Sequence, residues 1–132
     1  MKHATILVAD DDDDLRRSLC SLLSSEGYGV IDLANGAATL ELLAEAADGR
    51  RPRPDLLLLD FCMPGLSGIG IQRILRRFDA APPTILMTGF PDRSVETFAR
   101  NAGVVTVLRK PLEGPDVLRA VQSVLGGAER SR

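Results

Sequence analysis

Residues 7–16 read LVADDDDDLR, an apolar run that passes without a break into five consecutive aspartates. Adjacent carboxylates repel one another, and a compact fold tolerates them only where they are solvated or neutralised. The preceding stretch, Thr5-Ile-Leu-Val-Ala9, is short and rich in branched residues, the pattern of a strand buried on both faces. Any fold for this chain must therefore end a buried strand at Asp10 and Asp11. That strand end asks for a counter-charge, and the later aspartates suit the positive end of a helix.

A helical period follows at once. Leu15, Leu19, Leu22 and Leu23 recur at i, i+4, i+7 and i+8, with one of Asp12 to Asp14 as N-cap and Gly27 at the end. The cycle then repeats. Residues 30–33 read as a weak strand, and residues 37–47 as a helix carrying Leu40, Leu42 and Leu43. After the basic, proline-broken loop 48–54 comes the most apolar strand, 56–59, which stops abruptly at Asp60. Residues 66–78 read as a helix weakened in its first turn by Gly68 and Gly70, 84–87 as a strand, 93–102 as a helix and 104–108 as a strand. Pro115 suits the first turn of a last helix with Val117, Leu118, Val121 and Leu125 on its apolar side. Gly126-Gly127 is expected to stop it, leaving a short C-terminal tail, 126–132.

Strands alternating with helices through short loops predict an α/β fold: a doubly wound, five-stranded parallel sheet with five helices. The 132 residues suffice for one domain, with 45% apolar and 26% charged residues. A net charge of −2 gives no global attraction to nucleic acid or an anionic membrane, so neither is an expected partner. No apolar run approaches the ~18 residues of a membrane span. Cys20 and Cys62 form no CxxC pair and His3 is the sole histidine, which excludes an ordinary zinc site. Isolated thiols without a secretory signal predict a cytoplasmic protein.

In such sheets, sites form beyond the carboxyl ends of the strands. Asp10 and Asp11 follow the first strand, Asp60 the third, Thr88 the fourth and Lys110 the fifth. Three carboxylates, a hydroxyl and an ammonium are thus expected on one edge. Clustered carboxylates suit Mg²⁺, and the hydroxyl and lysine suit the oxygens of a phosphoryl group.

The segments ILVADDDDDLRRSL, LLLLDFCMPGLSG, ILMTG and VLRKPL, in this order, resemble the receiver domain of bacterial two-component response regulators. The resemblance covers residues 4–125, taken as the receiver domain. It implies a flavodoxin-like sheet of strand order 2-1-3-4-5. It also implies that Asp60 takes a phosphoryl group from a sensor histidine kinase or a histidine phosphotransfer protein. Asp10, Asp11, Asp60 and the backbone carbonyl of Cys62 would hold Mg²⁺. Thr88 and Lys110 would bind the phosphoryl oxygens, and the bond before Pro111 would be cis. So implied, the protein is a signalling switch rather than an enzyme, catalysing only its own phosphotransfer and slow dephosphorylation. With seven residues after Leu125 leaving no room for a DNA-binding output domain, the expected output is contact with a downstream protein target or phosphoryl relay to a second histidine carrier.

Three positions depart from the family pattern. Val107 stands where many members carry an aromatic residue, Ser67 replaces a common acidic residue, and Phe90 is bulky where polar residues are frequent. Val107, Phe90 and Cys62 are therefore the expected tuning positions. A competing reading is a phosphatase of haloacid-dehalogenase type, which needs a carboxylate two residues after its aspartate nucleophile. That position is Cys62. A receiver cut from a longer transcriptional regulator is the other alternative.

Overall fold

The computed structural model describes residues 3–89 and 93–130. Strands β1 (Thr5–Ala9), β2 (Gly29–Leu33), β3 (Leu56–Asp60), β4 (Thr84–Thr88) and β5 (Thr106–Arg109) alternate with helices α1 (Asp13–Ser25), α2 (Gly36–Ala47), α3 (Gly68–Arg77), α4 (Arg93–Asn101) and α5 (Gly114–Arg130). All strand pairs are parallel, in the order β2-β1-β3-β4-β5. The doubly wound α/β fold expected from the alternation is the fold observed.

The strand sequences explain the layering. Side chains alternate across a strand, so each central strand feeds two cores. Leu7, Leu57, Leu59 and Leu86 pack with α2, α3 and α4 on one face. Ile6, Leu56, Leu58, Ile85 and Met87 pack with α1 and α5 on the other. Burial of β3 and β4 on both faces accounts for their unbroken apolar runs.

Helix starts follow cap chemistry. Asp12 caps α1 by accepting from Leu15 N, and Asn35 caps α2 by accepting from Ala38 N. Ser67 accepts from Gly70 N, so α3 begins at Gly68 rather than at residue 66. The edge strand β5 begins at Thr106, not 104, because Val104 N closes the turn after α4 by donating to Ala99 O.

One expectation fails. Gly126-Gly127 does not stop the last helix, which continues to Arg130. Glycine costs about 1 kcal/mol per helical position but keeps its N–H, so it weakens a helix without ending it. The preceding turns hold it: Val117 and Val121 are fully buried.

Candidate functional site

Strand β1 has neighbours on both sides, β2 and β3, and the chain reverses its direction of winding between β1 and β3. Parallel sheets open a crevice at that point, at the carboxyl ends of the strands. Here those ends are Asp10 and Asp60. Strands β3 and β4 run one residue further than their apolar stretches, so Asp60 and Thr88 close their ladders and do not lie in loops.

Asp10 is fully buried, a costly position for a carboxylate. Its Oδ1 accepts from Asp12 N at 2.9 Å. Its Oδ2 has no donor in hydrogen-bonding geometry, and its close neighbour is the Lys110 ammonium at 2.9 Å, an ion pair by distance. Lys110 Nζ also lies 3.2 Å from Asp60 Oδ1, which accepts in addition from Cys62 N at 3.4 Å. Asp60 itself is 5% exposed. Burial, then the charge of Asp10, pushes the Asp60 pKa up to about 6 against the opposing pull of Lys110. Burial acts to lower the Lys110 pKa, but Asp10 and Asp60 outweigh it and the ammonium titrates above its usual value.

Backbone pairing brings the lysine to this edge. Lys110 N donates to Thr88 O at 2.7 Å, and the Lys110–Pro111 bond is cis. Thr88 is buried at the end of β4, beside the Phe61 N to Met87 O bond that leaves β3. Asp11 is exposed at the rim. One oxygen from each of Asp10, Asp11 and Asp60 lies within 4.8 Å of the others. An all-oxygen set of three carboxylates, two of them buried, fits a small hard divalent cation.

The tuning positions separate. Cys62 is exposed in the loop after β3. Val107 is half-buried, packed against the core that holds Leu86 and Ala99. Phe90 lies outside the described residues.

Two contributors were not visible in the sequence. Arg16 donates to Asp10 O at 2.8 Å, to Asp13 Oδ1 at 2.6 Å and to Asp32 Oδ2 at 3.1 Å. It ties the end of β1 to the start of α1 and to β2, and it holds the Asp13 carboxyl below the usual carboxylate range. The i,i+3 spacing of Asp13 and Arg16 was its only sequence signal. Gly68 is the other: a Cβ there would collide with Asp60 O and come within 2.9 Å of Leu86 Cδ1. The first turn of α3 sits directly on the Asp60 backbone only because residue 68 has no side chain.

Comparison with known proteins gives consistent matches. Residues 6–122 match the family model for the response regulator receiver domain. Sporulation initiation phosphotransferase F of Bacillus subtilis is 30% identical over 125 residues, covering 95% of this chain and 96% of that protein. The DNA-binding response regulator MtrA of Mycolicibacterium smegmatis is 31% identical over 120 residues, covering 91% of this chain but 50% of the relative. The chain thus spans about half the length of such DNA-binding relatives. Among solved structures, a CheY-like receiver domain protein from Methanospirillum hungatei superposes with a TM-score of 0.88 at 24% identity, covering 99% of this chain and all of that one. A putative response regulator from Chloroflexus aurantiacus gives a TM-score of 0.83 at 28% identity, covering 95% and 99%.

Proposed function

The chain belongs to the response regulator receiver domain family, and on that premise we propose that it is a switch controlled by phosphorylation of Asp60. The observation that carries the reading is the convergence of Asp60 with Asp10 on Lys110, with an Asp11 oxygen within 4.8 Å of theirs. The receiver domain is taken as residues 4–125.

A carboxylate oxygen of Asp60 attacks the phosphorus of a phosphohistidine on a histidine kinase or phosphotransfer protein. The P–N bond breaks, its electron pair returns to the imidazole, and the imidazole takes up a proton. Asp60 Oδ2 suits the attack, since Oδ1 is already held by Lys110 and Cys62 N. Asp10, Asp11 and Asp60, with the Cys62 carbonyl, would hold Mg²⁺, which supplies positive charge against the incoming phosphoryl oxygens. Lys110 is poised to transfer its charge from the carboxylates to the phosphoryl group. The Thr88 hydroxyl, at the neighbouring strand end, donates to a second phosphoryl oxygen.

The output is a contact with a downstream protein or transfer to a further histidine carrier, in the cytoplasm. No helix among the described residues is long and apolar enough to cross a membrane. Incubation with acetyl phosphate and Mg²⁺ is expected to add one phosphoryl mass, lost in Asp60→Asn. Equal labelling of that variant by intact mass would sink the assignment.

A further inference from the structure

Helices α3 and α4 both run back from the acidic edge to the opposite pole of the sheet, where Val105 N donates to Thr84 O at the first residue of β4. The large hydrophobic side chains exposed among the described residues all belong to this corner: Phe78 at 73%, Phe98 at 49% and Val105 at 56%. Guanidinium groups are set among them. Arg73 of α3 lies over the Phe98 ring of α4, 5.5 Å from its centroid. The Arg76 side chain lies against Gly103, where a Cβ would overlap it. Arg77 and Arg100 are exposed on the same two helices.

Among the described residues these cations have no ion-pair partner. Helix α3, GIGIQRILRR, contains no carboxylate. None of Arg73, Arg76, Arg77 and Arg100 is within ion-pair distance of an acidic group among the described residues, the nearby Asp79 and Glu96 included. The chain as a whole is acidic, so this corner stands out in sign as well as in apolar exposure.

We infer that the α3–α4 corner is a docking surface for an acidic, amphipathic segment of a partner protein. Its carboxylates pair with the fork edges of Arg73 and Arg76, and its apolar side chains pack on Phe98 and Phe78. Arginine and aromatic residues are the side chains enriched where protein interfaces concentrate their energy. Arg73 is already held over a ring, and its guanidinium donors suit bidentate pairing with a carboxylate. A membrane surface is the poorer fit, because rings and guanidiniums interleave here instead of separating into an apolar and a charged face. A nucleic-acid strand is also disfavoured, since it would run from this patch onto a chain of net negative charge.

The test uses a fluorescein-labelled helical peptide with glutamate and leucine on one face, its lysine-for-glutamate counterpart, and phosphatidylglycerol vesicles. The glutamate peptide is expected to bind in a salt-sensitive manner and to shift the amide signals of Arg73, Arg76, Phe98 and Gly103. The double variant Arg73→Glu, Arg76→Glu should bind about tenfold more weakly. It should keep a wild-type amide spectrum elsewhere and undiminished Mg²⁺-dependent labelling, so the result is independent of the phosphorylation reading. Absence of peptide binding, equal binding of the lysine peptide, or an unaffected double variant overturns the proposal. So does arginine-dependent binding to vesicles in place of the peptide.

Discussion

Lys110 Nζ lies 3.2 Å from Asp60 Oδ1, so the ammonium proposed to meet a phosphoryl group already neutralises the group that would accept it. The same ammonium faces buried Asp10. Lys110 and a divalent cation bound there would therefore compete for two of the same carboxylates.

Removing the ammonium should separate those roles. Lys110→Ala leaves two buried carboxylates facing each other without a cation. Loss of one partner of a fully buried pair costs about 3–5 kcal/mol; Lys110 is partly exposed, so roughly 2 kcal/mol is expected for the metal-free protein at pH 7. Added Mg²⁺ should restore much of that loss and bind at least as tightly as to wild type. The shift changes on beryllofluoride addition should be strongly reduced. Tenfold weaker Mg²⁺ binding by calorimetry, or a full beryllofluoride response, would contradict the competition.

The pH dependence follows from Asp60, whose pKa of about 6 lies above the ordinary 3.8. A raised carboxyl pKa means the folded, metal-free protein holds a proton that the unfolded chain releases earlier. The associated stability is present below pH 4 and is lost as pH rises towards 6. Asp60→Asn should remove that loss, making the metal-free protein more stable at pH 7.5 by on the order of 1–2 kcal/mol after allowance for screening. Protons and Mg²⁺ also compete, so Mg²⁺ affinity should fall as pH drops below about 6. Affinity independent of pH between 5 and 7 would show that Asp60 is already ionised without metal.

Arg16→Ala sets two effects against each other. Losing a cation should favour Mg²⁺, but Asp13 and Asp32 are more than half exposed, so that gain is screened. Losing the 2.8 Å bond to Asp10 O frees the loop that aims Asp10 and Asp11. Loss of such outer support typically weakens a metal site 10–100-fold, and weakening near about tenfold is expected here. Faster hydrogen exchange at residues 11–13 should accompany it, with partial rescue by Arg16→Lys. Unchanged affinity would reduce Arg16 to a surface ion pair.

The sequence disclosed the sheet because β1, β3 and β4 are buried on both faces and so read as unbroken apolar runs. It disclosed the grouping of Asp10, Asp60, Thr88 and Lys110 at one sheet edge because they stand at strand ends, which the parallel topology places side by side. Arg16 was hidden because its key acceptor is a backbone carbonyl, which leaves no mark on residue choice. The length of α5 was hidden because a glycine pair reads as a stop although its N–H groups still serve a helix.

Gly68 makes a sharper structural test. Read from the sequence, it weakens the first turn of α3, so alanine should help by about 1 kcal/mol. In the structure a Cβ would meet the Asp60 carbonyl, a backbone atom that cannot swing aside. Gly68→Ala should therefore destabilise by about 2 kcal/mol and slow labelling of Asp60. Gly70→Ala is the control, since its Cβ would meet the mobile Leu66 Cδ1 at 2.9 Å. It should be near neutral in thermal unfolding. Equal effects at the two positions would remove the case for Gly68 as the seat of Asp60.

The last prediction concerns how long a phosphoryl group would persist on Asp60. Hydrolysis needs a water aligned opposite the Asp60 oxygen, and an aligned water needs a polar anchor. Cys62 stands beside this approach: its N–H lies 3.4 Å from Asp60 Oδ1, its residue is exposed, and its thiol is a weak hydrogen-bonding group. Val107 is packed against the core and stiff at χ1, so it supplies no ring to open or close the approach. A slow loss of phosphate is therefore expected. Cys62→Asn, which adds an amide able to hold the water, should speed hydrolysis about tenfold. Cys62→Ser should lie between, and Val107→Ile should have little effect. Decay of the wild-type aspartyl phosphate within seconds, or a Cys62→Asn variant no faster than wild type, would defeat this account.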